Sequence, residues 1–161
     1  MKNLNDNETL TIVIVLYKEP FELIYKTIDQ IKEFKIIIID NDNNYELKTK
    51  ILKHFDIYKY ILNKKNNGFS AGYNQGIKIS STLFTLVLGP DCLITPKDIY
   101  ILTQKCSLYQ TSMIISPTSY NDKKELTYSG GPLPENGLKD KVLNLDGDTC
   151  VESALGACML F

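Results

Sequence analysis

Arginine is absent from this chain of 161 residues, so all 18 of its basic residues are lysines. The planar guanidinium group, which binds phosphate through two parallel hydrogen bonds, is therefore excluded from any mechanism. The 19 acidic residues leave a formal net charge of −1 at pH 7. Nucleic acid binding depends on clustered positive charge that neutralises phosphates, so this balance argues against a nucleic acid partner.

Histidine and cysteine are also scarce, and their spacing is unlike that of a metal-binding or disulfide-stabilised protein. The four cysteines include no C-x-x-C pair, and His54 is the only histidine. This pattern argues against a zinc site and predicts reduced thiols, buried as small apolar groups. The polar N-terminus does not resemble a signal peptide, and the longest apolar run, LTIVIVLY, is too short to span a bilayer. We therefore expect a cytoplasmic protein.

The composition is that of an ordinary globular domain, with 43% hydrophobic and 23% charged residues. Apolar β-branched runs alternate with segments of helical periodicity, such as Ile24, Ile28 and Ile31 after Pro20. The predicted strands are 10–17, 36–39, 58–62, 83–88 and 113–116, and the predicted helices begin at Pro20, cover 45–55 and 71–79, and run from Pro96 to about Leu108.

This alternation predicts an α/β fold with a mainly parallel sheet. Residues 119–141 are polar and rich in glycine and proline, which predicts a loop, and residues 150–161 are apolar again. In parallel sheets, ligands bind beyond the carboxyl ends of the strands, near a switch in strand order. Four suggestive features fall at those ends, namely Tyr17, Asp40, the 64–72 loop and Asp91.

The stretch NNGFSAGYNQGI, at 66–77, joins a predicted strand to a predicted helix. It lacks the G-K-[ST] ending of a P-loop, and its spacing does not match the G-x-G-x-x-G fingerprint of dinucleotide sites. A glycine-rich turn of this kind still offers backbone N–H groups and a helix dipole to an anion. The same glycines would also serve a tight turn with close helix–sheet packing, and composition alone does not separate the two interpretations.

Asp40 and Asp91 each follow a buried apolar strand. An aspartate in this position either caps the next segment or accepts hydrogen bonds from a ligand, and for Asp40 alone capping is favoured. Asp91, in LVLGPDC, fits either a turn beside glycine and proline or an oxygen ligand for Mg²⁺ or Mn²⁺. One carboxylate is enough for such a cation when substrate phosphates supply further oxygens.

In their order and spacing, TIVIVLYKEP, IIIIDNDN, NNGFSAGYNQGI and LVLGPDC resemble the family 2 glycosyltransferases of GT-A fold. The subgroup they resemble most is the rhamnosyltransferase-like enzymes that build bacterial surface polysaccharides. The final SALGACMLF is similar to a later strand of the family on the acceptor side, so the resemblance spans nearly the whole chain. It implies a GT-A sheet with helices on both faces. It also implies inverting transfer of a sugar from a UDP- or dTDP-linked donor to a saccharide or lipid-linked acceptor.

The resemblance also implies roles for individual residues. The motif after the first strand and the acid after the second would border the base and ribose, and the Asn-x-Gly loop would pass beside the diphosphate. Lys18 stands where the family has asparagine, and Gly89 where it has asparagine or aspartate. The residues so implied are Tyr17, Glu19, Asp40, Asn66, Gly68, Gly72 and Asn74 for the donor, and Asp91 for Mg²⁺ or Mn²⁺.

The family's general base lies in a Glu-Asp-type motif beyond the Gly-Ala strand, and no residue of this chain matches it. We therefore expect one nucleotide-sugar-binding domain over 1–161, without the acceptor segment and with little or no sugar transfer of its own. The resemblance places it in the cytoplasm, peripherally at the inner membrane face. An exposed apolar edge at the C-terminus would favour a homo-oligomer or a partner strand.

Two other function classes remain open from the residues alone. A non-catalytic interaction module would keep the sheet and assemble through its exposed edge, without affinity for nucleotides. A nicotinamide-dependent oxidoreductase would also fit a parallel sheet, but no G-x-G-x-x-G follows the first strand.

Overall fold

The computed structural model describes residues 9–109, 114–131 and 147–161. Strands and helices alternate through the first of these ranges, as the sequence predicts. In chain order the elements are β1 (Leu10–Leu16), α1 (Phe21–Ile31), β2 (Lys35–Asp40), α2 (Tyr45–His54), β3 (Lys59–Leu62), α3 (Phe69–Ile79), β4 (Phe84–Leu88), α4 (Pro96–Leu108), β5 (Ser119–Tyr120), β6 (Leu126–Tyr128) and β7 (Cys158–Leu160).

Five of these strands form one sheet in the order β3-β2-β1-β4-β7. β1 pairs in parallel with β2 and β4, and β2 pairs in parallel with β3, whereas β7 runs antiparallel to β4. The chain moves outward from β1 to β3 and then returns to the other side of β1, so the strand order reverses between β1 and β4. This reversal opens a crevice beyond the carboxyl ends of the strands, where sheets of this kind bind ligands. The predicted mainly parallel sheet is confirmed.

Helices cover both faces of the sheet, which is also as predicted. Successive residues of β1 point to opposite faces, so the sheet carries two apolar cores. Ile12 and Ile14 belong to the core that includes residues of α1, α2 and α4. Val13 and Val15 pack on the other face with Tyr73 of α3. Because both faces are covered, β1 and β2 are continuously apolar instead of alternating.

α3 lies close against β1 because two of its residues have no side chain. A Cβ atom at Gly76 would lie 2.2 Å from Cγ1 of Val13, and one at Gly72 would lie 2.8 Å from Cγ1 of Val15. Both distances are too short for real contacts, so any larger residue would push α3 away from the sheet. The packing interpretation therefore explains these two glycines.

The last strand, β7, lies beside β4, with Cys158 opposite Leu88. Its other edge is not open as predicted. The backbone of Leu160 exchanges two hydrogen bonds with Ile115, of 2.8 and 2.9 Å, and the hydroxyl of Ser116 donates to the carbonyl of Cys158. The C-terminal edge is thus covered at these positions by the chain itself.

Other predictions differ from the structure in detail. Most strand and helix ends shift by one or two residues; α3, for example, begins at Phe69, not at residue 71. The predicted loop that starts at 119 contains an antiparallel pair, β5 and β6, and its residues 132–141 lie outside the described ranges. The predicted strand at 113–116 is wrong for residues 114–116, where only Ile115 forms an isolated bridge; residue 113 lies outside the described ranges.

Side-chain burial follows the predictions with two exceptions. Leu52, predicted on the buried side of α2, is 44% exposed, because Leu47 and Ile51 alone face the core. The four cysteines are free thiols, but of the four only Cys158 is buried as predicted; Cys92 and Cys106 are partly buried and Cys150 is exposed. None of the helices within the described residues combines the length and apolarity needed to cross a membrane.

Candidate functional site

The segments that follow the four parallel strands begin at the same edge of the sheet. In the sheet register, Leu16 of β1 lies opposite Asp40 of β2, which lies opposite Leu62 of β3. On the other side of β1, Ile14 lies opposite Leu88, the last residue of β4. All the residues predicted to bind a donor or a metal lie on these segments or at their start, so the fold brings them to one crevice edge.

Asp40, at the end of β2, is fully buried, and its carboxylate accepts hydrogen bonds from the turn that follows it. One oxygen accepts a 2.8 Å hydrogen bond from the backbone N–H of Asp42, and the other accepts from the N–H of Asn44 at 3.4 Å and the hydroxyl of Tyr60 at 2.9 Å. Burial, together with this carboxylate, raises the pKa of Tyr60, which keeps the phenol a donor. Asn44, held in this way, caps α2 through the N–H of Leu47. The structure therefore gives Asp40 the capping role.

A chain of three carboxamides extends from this turn to α3. The amide of Asn63 donates to the side-chain oxygens of Asn41, at 2.8 Å, and of Gln75, at 2.9 Å. Gln75 donates back to Asn63 at 3.2 Å, and the amide of Asn41 donates to the carbonyl of Gly68, also at 3.2 Å. Sequence reasoning missed this network. The available signal was that Asn41 and Asn63 directly follow β2 and β3.

The loop between β3 and α3 ends in an exposed helix N-terminus. The N–H of Gly68 donates a 2.8 Å hydrogen bond to the side chain of Asn66, and Gly68 has a φ of 87°, which favours glycine. No side chain caps α3, and its first three residues, 69–71, are exposed. Such a terminus presents backbone N–H groups and positive dipole charge to an anion.

The turn after β1 is strained and lies at the surface. Lys18 has a φ of 69°, a conformation that costs a lysine about 1–2 kcal/mol. The turn is closed by a hydrogen bond from the N–H of Tyr17 to the carboxylate of Glu19. The Tyr17 ring is 43% exposed, and the ammonium of Lys18 lies 5.2 Å from its centre. A strained backbone held at a crevice edge is typical of functional sites.

The turn after β4 is anchored from two sides and leaves Asp91 exposed. The N–H of Gly89 donates to the carbonyl of Ala157 at 2.7 Å, and the carbonyl of Pro90 accepts from the hydroxyl of Thr27, also at 2.7 Å. A Cβ atom at Gly89 would lie 3.0 Å from both a carboxylate oxygen of Asp91 and the sulfur of Cys92. The family's asparagine or aspartate at position 89 would therefore require the side chains of Asp91 and Cys92 to move by a few tenths of an ångström.

The carboxylate of Asp91 has one weak contact, a 3.8 Å hydrogen bond from the thiol of Cys92. Burial raises the pKa of Cys92 to about 11, with Asp91 contributing, so this thiol stays neutral at physiological pH. No three histidine, cysteine or acidic side chains form a potential metal cluster anywhere in the described ranges. A single exposed carboxylate instead fits Mg²⁺ or Mn²⁺, which take their remaining oxygens from phosphates and water.

The hydroxyl of Tyr73 is buried and has no hydrogen-bond partner within the described part of the chain. Its ring packs with Val15 and Val87, which precede the turns after β1 and β4. Burial raises the pKa of Tyr73, and Cys92, Asp91, Cys158 and Glu19 raise it further. An unpaired donor in this core fits a site completed by further oxygen atoms.

The predicted donor-site residues fall into four groups. Tyr17 and Glu19 lie on the surface turn after β1, and Asn66 and Gly68 shape the loop before α3. Asp40 and Gly72 are buried in structural contacts, and Asn74 is exposed on α3. Contact of any of the seven with a nucleotide remains a prediction.

Comparisons with known proteins identify the family. The family model described as Glycosyl transferase family 2 matches residues 11–156. The low-salt glycan biosynthesis hexosyltransferase Agl10 of Haloferax volcanii is 32% identical over 171 aligned positions, which cover 95% of this chain and 52% of that protein. The chain thus spans about half the length of this curated relative.

Solved structures share the fold at low sequence identity. The mannosyltransferase PcManGT from Pyrobaculum calidifontis, in complex with GDP-Man and Mn²⁺, has a TM-score of 0.58 and 14% identity, over 71% of this chain and 36% of that one. S. aureus TarS 1–349 has a TM-score of 0.54 and 12% identity, over 82% and 38%. The 4-diphosphocytidyl-2C-methyl-D-erythritol synthase of Anaerococcus prevotii has a TM-score of 0.53 and 10% identity, over 97% and 72%. The predicted GT-A-like α/β fold is confirmed. With the family model covering most of its length, the chain belongs to glycosyl transferase family 2.

Proposed function

We propose that this chain is the donor-binding domain of a metal-dependent glycosyltransferase. It would bind a UDP- or dTDP-linked sugar for inverting transfer to a saccharide or lipid-linked acceptor in bacterial surface polysaccharide synthesis. The observation that carries the proposal is the exposed carboxylate of Asp91 at the reversal of strand order, in a chain of this family. The same crevice edge holds the uncapped N-terminus of α3. We place the reaction in the cytoplasm, at the inner membrane face, as the resemblance implies.

The chemistry requires stabilisation of the negative charge that develops on the departing nucleoside diphosphate. A bound Mg²⁺ or Mn²⁺ supplies Lewis-acid neutralisation of that charge. Asp91 holds the cation, and the first N–H groups of α3 donate to the phosphate oxygens. Because the chain has no arginine, this pair of groups replaces the bidentate clamps used elsewhere.

The turns beside the crevice position the nucleoside. Tyr17 offers an exposed aromatic face, and Glu19 holds the turn that presents it. Asp40 acts by fixing residues 41–44, since its carboxylate is buried and already accepts three hydrogen bonds. We propose no general base among the described residues. Asp148, near the end of the chain, is already paired with Lys105 and Tyr109.

Calorimetric titration with UDP and with dTDP, in Mn²⁺ and in EDTA, tests this function. We expect binding that is weaker in EDTA than in Mn²⁺ but still measurable, and that Asp91→Ala weakens at least tenfold in Mn²⁺, because the cation loses its protein ligand. Asp29→Ala is the matched control, since Asp29 is an exposed acid on α1 that pairs with Lys32. The proposal would be contradicted if neither UDP nor dTDP gave heat in Mn²⁺, or if Asp91→Ala and Asp29→Ala bound the nucleotide equally well.

A further inference from the structure

The hydroxyl of Tyr73 is the feature of the crevice that the proposed function does not yet use. The residue is 4% exposed, and its oxygen has no hydrogen-bond partner within the described part of the chain. Leaving a buried polar group unpaired costs about 1–3 kcal/mol, and phenylalanine would fill the same space without that cost. A tyrosine at this position therefore suggests a hydrogen bond that forms only when the ligand is bound.

The geometry of α3 directs this side chain towards the crevice. Helical side chains lean towards the N-terminus of their helix, and the N-terminus of α3 lies at the carboxyl ends of the strands. Gly72, the preceding residue, has no side chain, so α3 lies directly against Val15 of β1. The ring of Tyr73 is further held by the edge of Phe69, whose centre lies 4.3 Å away. Its ring packs with Val15 of β1 and Val87 of β4, which lie just before the turns that carry Glu19 and Asp91.

The groups around this hydroxyl are acceptors or neutral thiols. Glu19 and Asp91 are the acids that act on it, and Cys92 and Cys158 are the thiols. Glu19 already accepts the backbone N–H of Tyr17, whereas within the described residues Asp91 has only the weak contact with Cys92. Asp91 is therefore the acid with accepting capacity left for a phenol donor.

We infer that Tyr73 is a positioning residue for the cation site: when a divalent cation and a nucleoside diphosphate occupy the crevice, its hydroxyl donates a hydrogen bond to the carboxylate of Asp91. This inference rests on the proposed function, because it needs a cation bound by Asp91. A carboxylate that ligates a cation through one oxygen is oriented by hydrogen bonds to the other, and losing such a bond costs about 10–100-fold in metal affinity.

Tyr73→Phe tests the inference because it removes the hydroxyl and keeps the ring. Tyr25→Phe is the matched control, since Tyr25 lies on α1 in a separate aromatic group with Phe21 and His54. Three quantities are measured on the whole chain: the melting temperature without ligand, the Kd for Mn²⁺ at saturating UDP, and the Kd for UDP in EDTA.

For Tyr73→Phe we expect an unchanged or higher melting temperature, a Kd for Mn²⁺ raised about tenfold, and an unchanged Kd for UDP in EDTA. Tyr25→Phe should change neither affinity. A lower melting temperature would mean that the hydroxyl already has a partner in the free protein, and an unchanged Mn²⁺ affinity would mean that it does not orient Asp91. Either result overturns the inference, as does weaker UDP binding in EDTA, which would assign the hydroxyl to the nucleotide.

The wild-type chain separates this inference from the function on which it rests. If wild type binds UDP with Mn²⁺ and Asp91→Ala does not, while Tyr73→Phe matches wild type, only the role of Tyr73 is lost. If wild type binds neither UDP nor dTDP in Mn²⁺, the proposed function fails, and the role of Tyr73 fails with it.

Discussion

The ends of β2 and β4 carry the same kind of residue, an aspartate after a buried apolar strand, but their surroundings are opposite. Asp40 is fully buried and accepts hydrogen bonds from Asp42, Asn44 and Tyr60. Asp91 is exposed, and within the described residues its carboxylate accepts one weak hydrogen bond, from a neighbouring thiol. One carboxylate is saturated by the protein, and the other has most of its hydrogen-bonding capacity unused.

The same contrast extends to the neighbouring strands. On the β2–β3 side, Asn41, Asn63 and Gln75 satisfy one another and tie the loop to α3. On the β1–β4 side, Lys18 is strained and the hydroxyl of Tyr73 is unpaired within the described residues. The first side is built for rigidity and the second retains capacity for a ligand. Substitutions should therefore cost stability on the first side and binding on the second.

Asp40→Ala should give the largest loss of stability. Three donors lose their acceptor at once, and we expect the free energy of unfolding to fall by about 3 kcal/mol in urea denaturation. Asp91→Ala should change it by less than about 0.5 kcal/mol, as is usual for an exposed residue. Equal losses in the two variants would remove the distinction between the two strand ends.

Asn63→Ala should lower the free energy of unfolding by about 2 kcal/mol, because it leaves the side chains of Asn41 and Gln75 without their shared partner. Asn74→Ala, which truncates an exposed amide on the adjacent helix, should be nearly neutral in the same urea titration. A neutral Asn63→Ala would mean that the carboxamide network adds no rigidity.

Tyr60→Phe should cost about 1 kcal/mol, since it removes a partly buried hydrogen bond to Asp40. Tyr73→Phe should cost nothing by the same measurement, because its hydroxyl has no partner to lose within the described residues. These two tyrosines, one partly buried and one buried, thus provide one test of the comparison. The reverse order of stabilities would contradict it.

Tyr60, on the β2–β3 side, also makes the free energy of unfolding depend on pH. Its folded pKa is raised above 10.0, so the unfolded chain loses its phenolic proton first. The stabilisation is complete below about pH 10 and declines as the pH rises above it. Urea midpoints from pH 8 to 11 should therefore fall less steeply for Tyr60→Phe than for wild type, and parallel curves would contradict this assignment.

Lys18→Asn should have the smallest effect, and it should be stabilising. Asparagine tolerates a φ of 69° better than lysine does, and the loss of the contact with Tyr17 offsets part of the gain. We expect an increase of about 0.5 kcal/mol in the free energy of unfolding, measured in urea. A decrease would show that the lysine side chain stabilises this turn by more than its backbone strain.

Much of the fold was predictable from local pattern. The apolar runs at β1, β2 and β4 and the periodicity of α1 and α4 gave the sheet and its helices, because burial on both faces leaves a continuous hydrophobic signal. The region after α4 was predicted less well. The pairing of Ile115 with Leu160 and the short strands β5 and β6 depend on contacts distant in sequence, and their segments carry little apolar pattern.

The sequence by itself determined which residues reach the crevice, because the carboxyl ends of parallel strands meet at one edge of a sheet. It also indicated the family, through the order and spacing of four short motifs. Only the tertiary structure decided what each residue does there. Gly72 proved to be a packing contact, Asp40 a cap and Asp91 an exposed acid. Similar short stretches of sequence acquired these different roles because burial and hydrogen bonding are set by neighbours far away in the chain.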